Sequence, residues 1–533
     1  MYKFILTILI FTSIVIAQHV TVTSQELQVS ECSSAFIRHE LDFATRVHDP
    51  KHIGAYDSNG ASVAVGDLDN DQDLDIVLAN LKEKNAILWN EGSLQFRKEE
   101  LTYGNSRAVA IVDIDANGWN DIIFTRSIAA PGFYFNDQGT FTDTYRRDVN
   151  RHAYAMTWGD VDGDNDLDLI TASYDTLLEK ELRDTFMMSS GAGVVVYTQT
   201  PEGFLEQRLI DESQALALIL FDVNQDQKLD ILVGNDFAIP DFIYTYADGE
   251  WLEASPFEVT SRNTMSFDVG DMDNDSHSEL FATDMKPDFT DLNVLAQWMP
   301  LMQKTYEQQK AFPNQRVENA LQRLTENGFE NQSYQLRLDS TGWSWSGKFA
   351  DLDNDGRLDI YVVNGMIDER ILSHLPNYEL VEENQVFHNL GDDTFERVDW
   401  GLNSTAGGRG MAMADFDNDG DVDIVVNNLE SPSTLLENQM CGGDALEVDL
   451  HWESLNRRAI GATLKLHTSE GTFLRDVRVS SGYLSGDTAR IHFGIPKTAE
   501  VQKLEIAWPD GQSTTLDTLE HNTLVTISHK GDL

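Results

Sequence analysis

Cysteine is the scarcest residue of this chain, and basic residues are few beside its acidic ones. Against 89 aspartates and glutamates stand only 38 lysines and arginines, a formal net charge of −51. That balance excludes nucleic acid and anionic membrane as partners. Two cysteines in 533 residues exclude a disulfide-dense scaffold. Cys32 and Cys441 leave two readings open, a single bridge or two separate thiols. Past the N-terminus, no apolar run approaches the roughly twenty residues of a membrane span, so no membrane insertion is expected. No Gly-x-Ser-x-Gly occurs. His48 and His52 stand four apart, but Pro50 lies between them and no glutamate follows His48, so the helix of a zinc-protease motif is not expected there.

What is present in excess is aspartate, in seven copies of one nine-residue loop. Oxygen-bearing side chains occupy positions 1, 3, 5 and 9 every time. They are Asp67, Asp69, Asp71 and Asp75; Asp113, Asp115, Asn117 and Asp121; Asp160, Asp162, Asp164 and Asp168; Asp222, Asn224, Asp226 and Asp230. The last three sets are Asp271, Asp273, Asp275 and Glu279; Asp351, Asp353, Asp355 and Asp359; Asp415, Asp417, Asp419 and Asp423. Two carboxylates about 4 Å apart repel by on the order of 4 kcal/mol at an effective dielectric near 20. A tight turn that gathers three or four of them therefore calls for a hard cation. Ca2+, which takes roughly six to eight oxygens in irregular geometry, suits the pattern better than Mg2+, and up to seven ions are expected. Position 7 would lend only its carbonyl, and its side chain varies freely (Asp73, Trp119, Lys228, Arg357). An EF-hand is excluded, because position 12 is Leu78, Thr171, Val362 or Val426 and not glutamate.

Around each loop the chain alternates like strands. Five residues upstream stand small side chains, Ser62, Ala108, Ala155, Ala217, Ser266, Ser346 and Gly410, followed mostly by bulky ones. After the loop comes an aliphatic run such as Ile76-Val-Leu or Ile360-Tyr-Val-Val. Loop starts are 46, 47, 62, 49, 80 and 64 residues apart, with the shortest near the length of a four-stranded blade. The expected architecture is all-β: a seven-bladed β-propeller over residues 18–438, with 35–52 supplying the outer strand missing from the last blade. Such closure would bring Cys32 and Cys441 near each other as a candidate disulfide. Residues 439–533 alternate as strands and predict a small β-sandwich-like domain.

The loops and their flanks resemble the FG-GAP/VCBS repeats of integrin α-subunit propellers and many secreted bacterial proteins, over about residues 52–438. The segments Asn456-Arg-Arg-Ala-Ile-Gly-Ala462, Ser481-Gly-Tyr-Leu-Ser485, His492-Phe-Gly-Ile495 and Trp508-Pro-Asp-Gly511 resemble the ASPIC/UnbV domain, which follows such repeats in the cartilage acidic protein family and its bacterial relatives. The resemblance implies an extracellular calcium-binding protein and supplies no established reaction.

Three further expectations complete the reading. Residues 1–17, with Lys3, an apolar run over 4–16 and Val15 and Ala17 at cleavage positions, predict a signal peptide and hence a secreted or periplasmic protein. The stretch 287–325 predicts two helices separated at Pro313, from Leu292, Leu295, Met299 and Met302 and from Val317, Leu321 and Leu324. The stretch 175–190 predicts a smaller helical insertion. Six residues before each loop stand Ala61, Arg107, Tyr154, Leu216, Met265, Trp345 and Arg409. In a propeller these would ring one channel mouth, which leaves two readings open: Arg107, Tyr154, Trp345 and Arg409 are candidate ligand-binding residues, or they pack between blades. The function expected is a binding or adhesion module for an extracellular protein or polysaccharide; the alternative is a propeller enzyme acting on carbohydrate, a lyase or sugar-modifying enzyme.

Overall fold

Small residues at one end of a strand and an acidic turn at the other set the plan of most of the chain. The structure is a computed structural model that describes residues 20–29, 32–175, 191–236, 239–290, 292–309, 314–517 and 519–531. The expected signal peptide, and all but the first residue of the 175–190 insertion, lie outside the described residues.

Seven antiparallel sheets follow one another, each holding one acidic loop between its first and second strands. In the first sheet Val63–Gly66, Asp75–Leu78, Lys84–Asn90 and Phe96–Tyr103 pair in chain order. The next three sheets repeat that order over 106–144, 155–210 and 215–253. The fifth comprises Ser266–Gly270, Glu279–Thr283, Ala320–Thr325 and Gly328–Asn331. In the sixth, Met285–Lys286 is added beside Gly342–Ala350 to make five strands. The seventh borrows its outer strand from the front of the chain, with Ala35–Glu40 antiparallel to Thr434–Gln439.

First strands of successive sheets pack side by side, and Val63–Gly66 packs on Gly408–Ala414, so the seven sheets close into a circle. The small residues of the repeat are needed where these strands converge. A Cβ built on Gly410 would stand 2.3 Å from Ser62 Oγ. Just before the loops, a Cβ on Gly66 would meet Ile111 at 2.8 Å and one on Gly159 would meet Leu220 at 2.6 Å. Gly66 and Gly159 each leave room for an aliphatic side chain of the next sheet, and burying such a side chain stabilises by roughly 1.5–3 kcal/mol.

Residues beyond 443 form two further four-stranded sheets. One holds Thr472–Asp476, Thr463–Thr468, Val501–Ala507 and Ser513–Asp517. The other contains Asp444–Trp452, Ile491–Ile495 and Thr523–His529, and its edge is Val20–Glu26, in register with Thr523–His529 from end to end. Val20–Glu26 thus adds a strand from outside 439–533 to this C-terminal module.

One insertion differs from its expected form. Leu292–Gln309 is a helix, but Leu321 and Leu324 lie in strand Ala320–Thr325, paired with Glu279–Thr283 on one side and Gly328–Asn331 on the other. Fully buried Ala320 and Leu321 fill the fifth sheet, and this tertiary pairing overrides the helical spacing of three apolar residues.

Cys32 and Cys441 form a disulfide with their Cα atoms 5.1 Å apart, bridging 409 residues of chain. The bond flanks the strand pair that closes the circle. Cross-links over loops this long stabilise by about 2–4 kcal/mol, mainly by restricting the unfolded chain. Replacing both cysteines by serine is expected to lower the thermal midpoint by several degrees, and reductant is expected to lower the wild-type midpoint to match. A reductant-insensitive midpoint would show that the pairing of Ala35–Glu40 with Thr434–Gln439 closes the circle unaided.

Candidate metal centres

All seven acidic loops share one hydrogen-bonded frame, and the side chains that gather the carboxylates also build the turn. The position-1 carboxylate accepts from the position-6 amide at 2.7–3.1 Å in every copy. The position-5 side chain accepts from the position-7 amide at 2.7–3.1 Å. The position-9 carboxylate accepts from the position-2 amide at 2.9–3.1 Å. In five copies its other oxygen takes an amide from the third strand at 2.7–2.9 Å, as between Asn90 and Asp75. Position 9 thus ties the turn to the sheet.

Positions 4 and 6 carry a requirement that the oxygen count alone does not reveal. Both have positive φ in all seven loops: Asn70 and Gln72, Ala116 and Gly118, Gly163 and Asn165, Gln225 and Gln227, Asn274 and Ser276, Asn354 and Gly356, Asn418 and Gly420. Gly and Asn tolerate that region best, and the recurrence of Asn, Gly and Gln there was the available signal. Four position-4 asparagines also reach the next loop in the circle. Asn70 donates to Gly118 O at 3.1 Å, Asn274 to Gly356 O at 3.1 Å and Asn354 to Gly420 O at 3.1 Å. Asn418 donates to Asp73 Oδ1 at 2.7 Å, across the junction of the last and first sheets.

Within single loops the ligand atoms converge. One oxygen each from Asp67, Asp69 and Asp71 lie within 4.8 Å of one another, as do those of Asp113, Asp115 and Asp121, of Asp160, Asp162 and Asp168, and of Asp271, Asp273 and Glu279. In the sixth loop the group is Asp353, Asp355 and His388, a third-strand residue that the sequence reading did not single out. Asp164, Asp226, Asp275 and Asp419 hold position 5 in the shared frame, and Asp222, Asn224 and Asp230 close the fourth loop in the same way. Buried oxygens Asp67 Oδ1, Asp230 Oδ1, Asp353 Oδ1 and Asp417 Oδ1 accept no hydrogen bond. An unsatisfied, buried carboxylate oxygen is costly unless a cation meets it, so the donor set fits a hard divalent ion. Two loops carry positive charge of their own, the fifth from Arg323 paired with Asp273 and the sixth from Arg357 paired with Asp355.

Burial, followed by the neighbouring carboxylates, drives these groups towards the protonated form. Burial pushes Asp75 up to about 8, Asp121 and Asp168 to about 7, Asp230 to about 6 and Glu279 to about 9. Asp271 rises to about 7 and Asp351 to about 8 for the same reason, while Asp359, Asp415 and Asp423 are pushed well above the ordinary carboxylate range.

The C-terminal module sits on the face that carries the loops. Its backbone lies flat on the sixth loop, where a Cβ on Gly494 would stand 2.1 Å from Asp351 Oδ2 and one on Gly443 2.0 Å from Asn354 O. Arg490 donates to Asn418 Oδ1 at 3.0 Å and to Gln72 O at 2.8 Å. From this face the segment 480–487 enters the centre of the circle. Gly486 forms a bridge with Ala64 and Gly482 with Phe267, and Leu484 O accepts from Val109 N at 3.4 Å. Tyr483 goes deepest, donating from Oη to Asn59 O at 2.8 Å.

This finger changes the meaning of the seven residues expected to ring a channel mouth. They do gather, but Ala61, Arg107, Tyr154, Leu216, Met265, Trp345 and Arg409 are all 0–2% exposed. Tyr483 packs 5.1 Å from Trp345, Arg409 stacks 4.4 Å over Trp345, and Arg107 lies 5.2 Å over Tyr154. Both arginines spend their donors internally: Arg107 on Tyr56 O, Gly60 O and Ser127 Oγ, Arg409 on the carbonyls of Ser58, Gly365, Gly407 and Gly408. Arg107, Tyr154, Trp345 and Arg409 are therefore the packing around a plug and do not form an open ligand mouth.

Comparison with known proteins agrees with the loop pattern. Residues 67–124, 183–282 and 377–426 match the FG-GAP-like repeat, and residues 452–532 match the ASPIC and UnbV domain. Cartilage acidic protein 1 of Homo sapiens is 30% identical over 196 residues, covering 34% of this chain and 28% of that protein. Its Xenopus tropicalis counterpart is 30% identical over 182 residues, covering 32% and 26%. The matched stretch thus spans well under a third of these relatives' length. Among solved structures, the Neurospora crassa Pan2 WD40 domain is similar with a TM-score of 0.40 at 7% identity, covering 77% of this chain and 97% of that one. The exotype rhamnogalacturonan lyase YesX gives 0.37 at 10% identity, covering 79% and 76%. The chain is an FG-GAP-like repeat protein with a C-terminal ASPIC and UnbV domain, distantly similar to cartilage acidic protein 1.

The raised carboxyls fix a pH dependence. A carboxyl whose folded pKa lies above its unfolded value holds its proton longer in the native state, so cation-free stability falls as pH rises from the ordinary carboxylate range through about 6–9. The chelated protein is expected to melt lower at about pH 8.5 than at about pH 5.5, and an added divalent cation that binds the loops is expected to reverse that order, because protons no longer compete for the ligands at the higher pH. Melting curves at both pH values, with and without chelator, check this, and a chelated protein that is more stable at the higher pH would contradict it.

Proposed function

We propose that this FG-GAP-like repeat protein is an exported, calcium-stabilised, seven-bladed β-propeller that serves as a non-catalytic binding module for an extracellular protein or polysaccharide. One observation carries the reading: the same hydrogen-bonded frame holds the position-1, position-5 and position-9 oxygens in all seven loops. Calcium is favoured over magnesium because each loop offers many oxygens on a flexible turn and not a strict octahedron. In each loop, position 1, 3, 5 and 9 oxygens would hold the ion together with the position-7 carbonyl. The closed circle of four-stranded sheets supports the propeller.

Export is supported by the Cys32–Cys441 disulfide, which belongs in an oxidising compartment. Among the described residues no helix is long and apolar enough to cross a membrane. The plugged centre bears on where a partner would bind. With Arg107 and Arg409 committed to backbone carbonyls, recognition falls to the outer strands, the loops between sheets and the exposed faces of the C-terminal module. The binding reading and the carbohydrate-enzyme alternative both drew on the channel-mouth residues, so their burial does not choose between the two.

Elemental analysis of protein purified without chelator is expected to find several calcium ions per chain. Chelation is expected to lower the thermal midpoint by more than about 10 °C, because several sites are lost together. The chain is then screened against extracellular matrix proteins and neutral and anionic polysaccharides, with products monitored. Native protein free of calcium would sink the metal reading, and product formation from a polysaccharide would replace the binding module with an enzyme.

A further inference from the structure

The seventh loop differs from the others in what covers it. Strand Asp444–Trp452 of the C-terminal module crosses above it, and a Cβ built on Gly420 would stand 2.9 Å from Ala445 Cβ. Glu447 is two residues further along the strand, so its side chain leaves by the same face as Ala445. Its cross-strand partner is His492, whose Nε2 donates to Gly420 O at 3.0 Å. The face that carries Glu447 is thus turned to the loop.

Glu447 is an unusual residue to find there. It is 3% exposed, and its Oε1 has no hydrogen-bond donor. In the loop beneath, Asp417 Oδ1 is equally buried and equally without a donor. Asp415, 2% exposed, has its carboxyl pushed well above the ordinary range by burial and next by the charge of Glu447. Burial pushes the Glu447 carboxyl up, and the guanidinium of Arg490 is close enough to draw it part of the way down. Yet the terminal nitrogens of Arg490 donate to Asn418 and Gln72 and its Nε makes no hydrogen bond, so Glu447 Oε1 keeps no donor. Two unpartnered carboxylate oxygens from two different domains therefore face one acidic loop, and each would be costly without a cation between them.

We propose that Glu447 is a further ligand of the divalent cation at the seventh loop, alongside Asp415, Asp417, Asp419 and Asp423, so that one ion fastens the C-terminal module to the ring. The proposal rests on the cation-binding reading of the loops and extends it to a residue outside them. An additional carboxylate is compatible with calcium, which accepts up to roughly eight oxygens. Ion binding at this loop and docking of strand Asp444–Trp452 are then one event.

The test is a calcium titration of the full-length chain, combined with hydrogen exchange across 444–452. E447Q and E447D are each expected to weaken one site by about tenfold or more and to speed exchange across that strand in the calcium-loaded protein. E453Q removes the same charge from an exposed position of the module and is expected to do neither. E447D keeps the charge but not the reach, so it separates coordination from simple attraction. The assignment is overturned if E447D binds calcium as the wild type does, or if E447Q leaves every site unchanged or tighter. A wild-type chain that binds no cation would overturn this assignment together with the loop reading, whereas a loaded wild type indistinguishable from E447D would overturn this assignment alone.

Discussion

Carboxylates held a few ångströms apart inside a closed turn are the constraint on which the structure depends. Each acidic loop joins the first and second strands of a sheet, so whatever neutralises the loop also fixes how those strands meet. The turn cannot relax outwards to relieve repulsion. Its position-9 carboxylate is bonded to the position-2 amide in all seven copies and to the third strand in five, and its position-1 carboxylate to the position-6 amide. The same oxygens that make the loop acidic make it rigid, and a rigid acidic loop holds its oxygens already gathered in the arrangement a cation requires.

Most of this was legible in the sequence because the information is local. A nine-residue spacing, small residues five positions upstream and aliphatic runs downstream are enough to place strands and turns. The same reading, with the ends of the repeat joined, brought Cys32 and Cys441 together as a candidate pair and left open whether they bond; the structure joins them. Positions 4 and 6 were visible as Asn, Gly and Gln but went unread, since their role is in backbone conformation and contributes no ligand oxygen.

What was not legible is non-local. Leu321 and Leu324 have helical spacing with Val317, yet strand Glu279–Thr283 stands unpaired on that side without them, and the sheet decides. Val20–Glu26 shows nothing of its partner, which is Thr523–His529 at the other end of the chain. The ring of Arg107, Tyr154, Trp345 and Arg409 left two readings open, an open mouth or packing between sheets, and the sequence offered nothing to choose between them. A guanidinium at a channel mouth and a guanidinium stacked against a buried aromatic look alike in a repeat alignment. The difference is made by Tyr483, which arrives from a separate domain.

That domain alters how the circle should be understood. A ring of sheets closed by strand pairing and a disulfide is open along its axis, and here the axis is filled by residues 480–487 while the loop face is covered by the strand that carries Glu447. The N-terminal strand adds a covalent reason for the two parts to stay together. It pairs in the C-terminal module and then leads through Cys32 into the seventh sheet, so the chain passes from module to ring at both of its ends. Module and ring therefore share backbone connections, a threaded finger and an acidic interface. Loss of charge balance at the loops would be felt in all three, since the module packs Gly494 directly on Asp351 and the short side chain of Ala445 on Gly420. The acidic loops are best understood as the joint between two domains as well as the turns of one.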